Sequence, residues 1–351
     1  MAVPGITPVI IRRLFFNGEF IMLTTRFTDL VGCTVPIQQA GMGSPANPRL
    51  AAAVANAGGL GMVSVFGIYG GPPDHVARML DETRELTSGV YGANFIMKWV
   101  DPNLAHQTVK TAAAHSPIVE FFYTEPDSAL VEIVHSEGAL AAWQIGSQEE
   151  AVAAVNAGCD FIIAQGIEAG GHVRGTIGLF SLLDQVLDAV DIPVIAAGGI
   201  GSGRAMAAVL AAGADGVRVG TRFLAVPEAE VHPQYLESLI AAEAQDTQYT
   251  EAYSNGWADA PHRVLRSAVK AAETLEDETI GSAADTWNNE RYEVHRFQPG
   301  IVHKSAVGSI EAMSMWAGES VNGLRRSQTA DEIIAELTNE AELYLRRWDT
   351  E

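Results

Sequence analysis

An α/β fold of the (β/α)8 TIM-barrel class, with a C-terminal insertion or subdomain and a final helix, is what the sequence predicts from three observations. Short apolar runs alternate with amphipathic segments from Val35 onward. The turns between them are rich in Gly, Pro and Asn yet hold few hairpin signals such as Asn-Gly, so neighbouring strands are expected to be parallel and joined by right-handed helical crossovers. About eight such units follow one another at similar length, and they close into a ring without reversing strand order. The competing open, doubly wound sheet needs a switch point.

The first strand is expected over Val35 to Ala40, followed by a helix that starts near Pro48 and stops at Gly58-Gly59. Proline suits the first turn of a helix, and glycine its end. The second strand runs from about Leu60 to Val65, its helix from about Asp74 to Leu86, and the third strand lies near Tyr91 to Ile96. Ile118 to Tyr123, Ala139 to Ile145 and Asp160 to Gln165 come next, separated by helices near 127–137 and 147–157. Ile192 to Ala197 and Gly216 to Val219 complete the eight, so residues 22–244 read as the barrel core. From 245 to 310 the rhythm breaks into polar runs with Trp257 and Trp287, the pattern of an insertion or small subdomain beside the barrel mouth. In the C-terminal segment 311–351, a helix over Ala330 to Trp348 carries Ile333, Ile334, Leu337, Leu343 and Leu345 and is expected to cover barrel surface. Residues 1–21 read as an unstructured leader, with Met22 opening the regular segment.

Composition narrows the function. A chain of 351 residues exceeds one usual domain, but barrels of about 250 residues extend by insertion. Hydrophobic residues make up 48% and charged residues 19%, enough apolar material for a core. The formal charge of -21 repels polyanions, which argues against nucleic acid or an anionic membrane as partner. Cys33 and Cys159 alone build neither a disulfide framework nor a zinc cluster, and a reducing cytoplasm is the expected compartment. Every apolar run is broken before the roughly 18 to 20 residues a membrane helix needs. A small-molecule enzyme, monomer or homodimer, is the expectation.

In such a barrel the chemistry sits where strands end and loops begin. The seventh strand is followed by Ala197-Gly198-Gly199-Ile200-Gly201-Ser202-Gly203 and the eighth by Gly220-Thr221-Arg222. A single Gly pair is explained by a tight turn. Glycine turns after consecutive late strands point further, to a phosphate held by main-chain N–H groups and a helix N-terminus. Strand six ends in Gln165 and enters Gly166-Ile167-Glu168-Ala169-Gly170-Gly171-His172. A histidine on such a loop reaches the mouth, and its ordinary pKa of about 6.5 suits proton transfer or hydrogen bonding to an anion. Gly41 and Gly43, flanking Met42, would let main chain lie against a flat ring, while the amides of Asn94 and Gln165 suit a heterocycle's edge.

The segments PIQQAGMG, NAGGLGMVS, GANF, AQGIEAGGH, PVIAAGGI, GADGVRVGTRF and MWAGESV resemble those of the nitronate monooxygenase family, formerly called 2-nitropropane dioxygenases. The resemblance runs in order from about residue 35 to 225 and resumes near 314. It implies an FMN-binding TIM barrel that oxidises an alkyl nitronate with O2 to a carbonyl compound and nitrite. It also implies His172 as catalytic base, with Met42, Asn94, Gln165, Gly170, Gly199, Arg218, Val219, Gly220 and Thr221 at flavin-binding positions. The chain departs from the family pattern in three places: Gly41 where Pro is common, Arg218 where Gln or Met is common, and Val173-Arg174, which lengthen the spacing after the histidine. Two alternatives stay open. One is an FMN-dependent NAD(P)H reductase on the same barrel, resembling enoyl-acyl-carrier-protein or quinone reductases. The other is a non-flavin barrel for a phosphorylated metabolite, with Lys98 and Glu168 as its rim candidates.

Overall fold

The computed structural model describes residues 23–65, 72–97, 102–285 and 288–347; the expected leader 1–21, Lys98, Trp287 and Trp348 lie outside them. Eight parallel strands form the central sheet: β1 (Ile37–Gln39), β2 (Gly61–Ser64), β3 (Tyr91–Ile96), β4 (Ile118–Phe122), β5 (Leu140–Ile145), β6 (Phe161–Gln165), β7 (Val194–Ala197) and β8 (Gly216–Val219). Each pairs with the next in chain order from β2 to β8, and β8 returns to β1. A bridge between Gln38 and Leu60 brings β1 back to the start of β2 and closes the ring. These strands are buried along almost their whole length, as a parallel sheet with helices outside and packed side chains inside requires.

The helices are α1 (Arg26–Val31), α2 (Pro48–Asn56), α3 (Pro73–Leu86), α4 (Pro102–His115), α5 (Ser128–Ser136), α6 (Gln148–Ala157), α7 (Leu179–Ala189), α8 (Gly203–Ala211), α9 (Pro233–Ala241), α10 (Arg266–Thr274) and α11 (Ala330–Arg346). Their ends follow from local chemistry. Asn47 accepts from the Leu50 N–H ahead of Pro48, Ser147 accepts from the Glu150 N–H, and Gly158 closes α6 with φ 96°. Strand β7 starts two residues later than the sequence suggests, because Pro193 has no N–H for the ladder. Phe27 of α1 is fully buried against Phe161, their rings 5.4 Å apart and edge-on, and belongs with Leu60, Met62 and Ile118 to one apolar cluster.

A second core gathers apolar residues between Leu224 and Leu324. Within it lie β9 (Thr247–Thr250) and β10 (His262–Leu265), which form an antiparallel sheet with the Gly171–His172 pair. A further sheet centres on β11 (Thr279–Ala284), flanked by β12 (Arg291–His295) and β13 (Val307–Gly308). The sequence shows no strand period here because these ribbons turn much of their surface to solvent; β12 begins with three exposed residues. On α11, Ile333, Ile334 and Leu337 are buried and Leu345 packs on the core, whereas Leu343 is exposed, against expectation. Among the described residues no helix is long and apolar enough to cross a membrane.

Candidate active site

At the C-terminal ends of the barrel strands a cavity of about 810 Å³ opens between the ring and the second core. Its floor is polar. Arg218 of β8 donates to Glu120 of β4 at 2.5 Å and also to Gln144 of β5. The same Glu120 oxygen accepts from Asn94 of β3 at 2.6 Å, and its other oxygen accepts from Gln38 of β1 at 2.7 Å. Five strands thus share one buried network, and Arg218, Asn94 and Gln144 carry it to the cavity surface. Two of its atoms have no partner: Arg218 Nε and Gln38 Oε1.

One wall is made of glycine turns. Gly198 and Gly199 adopt φ 111° and 69°, a region that side chains rarely occupy. Beside them, at the end of the neighbouring strand, Gly220 and Thr221 open a short 3-10 turn. Among the described residues, the N–H groups of Gly199, Gly220 and Thr221 are not taken up by main-chain hydrogen bonds. Gly170 sits back to back with Gly318 of the late MWAGESV segment; a Cβ on Gly170 would come within 2.4 Å of the Gly318 nitrogen. The Thr221 hydroxyl accepts from that same N–H at 3.1 Å, so three distant motifs lock together. A Cβ on Gly41 would fall 2.1 Å from Asn94 Oδ1, so the Asn94 amide occupies the space a larger residue 41 would need.

Another part of the lining is aromatic and surrounds His172. Its imidazole stacks on Trp257 at 3.9 Å and 25°, with Trp316, His262 and Tyr123 at 5.3, 5.6 and 5.8 Å. Tyr123 holds φ 67° at the end of β4, a backbone state uncommon for a bulky residue. The residue as a whole is partly exposed, but Nε2 is buried and unpartnered. Burial in this box, with His262 adding a little, lowers the His172 pKa to about 3, so the imidazole is neutral at pH 7. Gln165 holds the loop: its Nε2 donates to the His172 carbonyl at 3.0 Å and its Oε1 accepts from the Arg174 N–H at 3.2 Å. Arg174 itself is anchored by Glu150 and Glu125, so the longer stretch after the histidine is pinned.

Nine of the ten sequence-predicted residues line this one cavity: His172, Met42, Asn94, Gln165, Gly170, Gly199, Arg218, Gly220 and Thr221. Val219 is the exception. Alternation along β8 sends Arg218 inward and Val219 outward into the helix-facing core, leaving only main chain near the site. Glu168, the rim acid, accepts from the Leu179 N–H at 3.1 Å and caps α7 instead of facing the cavity. Sequence reasoning missed Glu120, Gln144 and the packing of Trp257 on His172. A charged residue inside an otherwise apolar strand, Ile118–Phe122, was the available signal for Glu120.

Comparison with known proteins places this geometry in company. A family model described as nitronate monooxygenase matches residues 24–340. The chain is 37% identical over 246 residues to a 5-hydroxy-7a-methyl-1-oxo-octahydro-1H-indene-4-carboxyl-CoA dehydrogenase of Rhodococcus jostii, covering 70% of this chain and 66% of that one, just under two thirds of the relative's length. It is 28% identical over 360 residues to a probable nitronate monooxygenase of Staphylococcus aureus, covering 90% of this chain and 96% of the other. Among solved structures, FabK from Thermotoga maritima superposes with TM-score 0.76 at 32% identity over 92% of this chain and 97% of its own. A nitroalkane oxidase from Streptomyces ansochromogenes gives TM-score 0.71 at 28% identity, covering 92% and 99%.

Proposed function

Because the chain belongs to the nitronate monooxygenase family and is a flavin-dependent oxidoreductase on a TIM barrel, we propose that it holds FMN and oxidises alkyl nitronates with dioxygen to a carbonyl compound and nitrite. The observation that carries this reading is one cavity lined both by glycine turns and by His172, whose buried Nε2 has no partner. The residues present fit the cofactor. The volume lies in the range of about 300 to 1,000 Å³ typical of cofactor and ligand sites. The available N–H groups of Gly199, Gly220 and Thr221 suit a phosphate, and the floor amides and Arg218 suit the polar edge of a ring system.

FMN, when bound, supplies electron uptake from the substrate and delivery to dioxygen. The chain's own residues do the rest. Trp257, Trp316 and Tyr123 pack around the His172 imidazole, whose Nε2 is buried. A neutral imidazole either donates Nε2–H to a nitro oxygen or accepts the α-proton of a neutral nitroalkane, depending on tautomer. With its pKa near 3 it is a weak base, because general-base efficiency is best when the pKa lies near the operating pH. A nitronate, which has already lost that proton, is therefore the better substrate. The protein is proposed to work in the cytoplasm as a monomer or homodimer.

A second reading is favoured by specific likenesses, the 37% identity to a CoA-thioester dehydrogenase and the TM-score of 0.76 to FabK. On that reading a flavin held by the same Gly199, Gly220 and Thr221 N–H groups would supply hydride transfer between NAD(P)H and a thioester substrate. Anaerobic mixing separates the two: bleaching of the bound flavin by propionate 3-nitronate but not by NADH or NADPH supports nitronate oxidation. Fast bleaching by a nicotinamide and none by the nitronate rejects it.

A further inference from the structure

We propose that Arg218 sets the reduction potential of the bound flavin, and that Glu120 is the positioning residue that holds this guanidinium under the ligand. The inference rests on the FMN reading above and adds to it a role for the charge pair at the cavity floor. Arg218 brings a guanidinium, almost fully buried, to the cavity floor. Glu120 and Gln144 take its two terminal nitrogens, which leaves Nε as a buried donor with no acceptor. Glu120 does not line the cavity. Its oxygens tie Arg218, Asn94 and Gln38 together from below, so three strands are set by one carboxylate.

A buried donor without a partner is costly, and a ligand that offers an acceptor relieves that cost. Two-electron reduction of a flavin leaves its pyrimidine edge richer in negative charge. A fixed cation with a spare N–H in a low-dielectric floor therefore binds the reduced ring more tightly than the oxidised one, which raises the potential. Glu120 offsets part of that field while keeping the guanidinium in place. Arg218 and Glu120 should therefore move the potential in opposite directions.

Equilibrium reduction by dithionite alongside a reference dye, with FMN affinity measured by fluorescence, tests this on the purified full chain. Arg218→Met is expected to lower the ratio of affinities for reduced over oxidised FMN by about tenfold, a fall of about 30 mV for a two-electron couple. Arg218→Lys, which keeps the charge, should stay closer to the unmodified protein. Glu120→Gln should raise the ratio; Gln38 can turn its amide so that the unpartnered oxygen accepts from the new side chain. Equal shifts in the Lys and Met variants, or no shift in either, overturn the role of Arg218, and a ratio that fails to rise in Glu120→Gln overturns that of Glu120. Failure of the unmodified chain to bind FMN would sink the underlying functional reading instead.

Discussion

His172 owes its character to its neighbours. An ordinary imidazole titrates near neutrality, but the box of Trp257, Trp316, Tyr123 and His262 strips its hydration and drives the pKa to about 3. Kinetics should show this directly. His172→Asn is expected to cut turnover of a neutral nitroalkane by about 100-fold, the low end for a positioned base, while nitronate turnover falls much less; equal losses on both substrates would remove the proton-transfer role. Stability should respond as well. The folded-state pKa lies below the unfolded value of about 6.5, so between pH 3 and 6.5 the unfolded chain binds more protons. The His172 contribution is therefore fully present above pH 6.5 and is lost as pH falls toward 3. Urea midpoints at pH 7 and pH 5 should differ less in His172→Asn than in the unmodified protein. The motif carried the histidine's place in the sequence, but its pKa depended on rings from distant segments, Tyr123 before it and Trp257, His262 and Trp316 after it.

Loops and strands meet here by close main-chain contact. The Gly170 loop and the Gly318 loop touch with no room for a side chain, and Thr221 fastens both to the end of β8. Gly170→Ala should lower unfolding free energy by about 1 to 3 kcal/mol and weaken FMN binding, because the clash is with backbone at the cavity wall. Thr329→Ala is the control. It removes the hydroxyl that caps α11, should cost about 1 kcal/mol, and should leave FMN affinity unchanged. Denaturant melts with and without FMN distinguish the two. Strand ends at this scale were largely readable: Tyr91–Ile96 and Gly216–Val219 fall where the apolar runs put them. Helices α4, α7 and α8 were not bounded from sequence, and the two small sheets of the second core were not foreseen. Their strands are short, most are partly exposed, and one pairing, of β10 with Gly171–His172, joins distant stretches of chain, so no local period marks them.

Over the whole molecule, the cavity lies at the seam between two cores, and Met42 packs against both. A ligand seated there joins the barrel to its cap. FMN at 100 times its dissociation constant should therefore add about 2.7 kcal/mol to unfolding free energy, read as a rise in melting temperature that grows with FMN concentration. A melting temperature indifferent to FMN would contradict a flavin site in this cavity. Sequence by itself determined the ring of parallel strands and the glycine turns at its rim, because strand period, turn chemistry and positive-φ glycines are local properties of the chain. It also carried the family resemblance. Only the tertiary structure decided which of those residues face the cavity, that Glu120 binds Arg218 from beneath, that Glu168 caps a helix, and that His172 is desolvated. Glu120 lies 98 residues from Arg218 in the chain, so no window of sequence contains both partners, and even the short step from Glu168 to Leu179 is fixed only by how the loop folds back on α7.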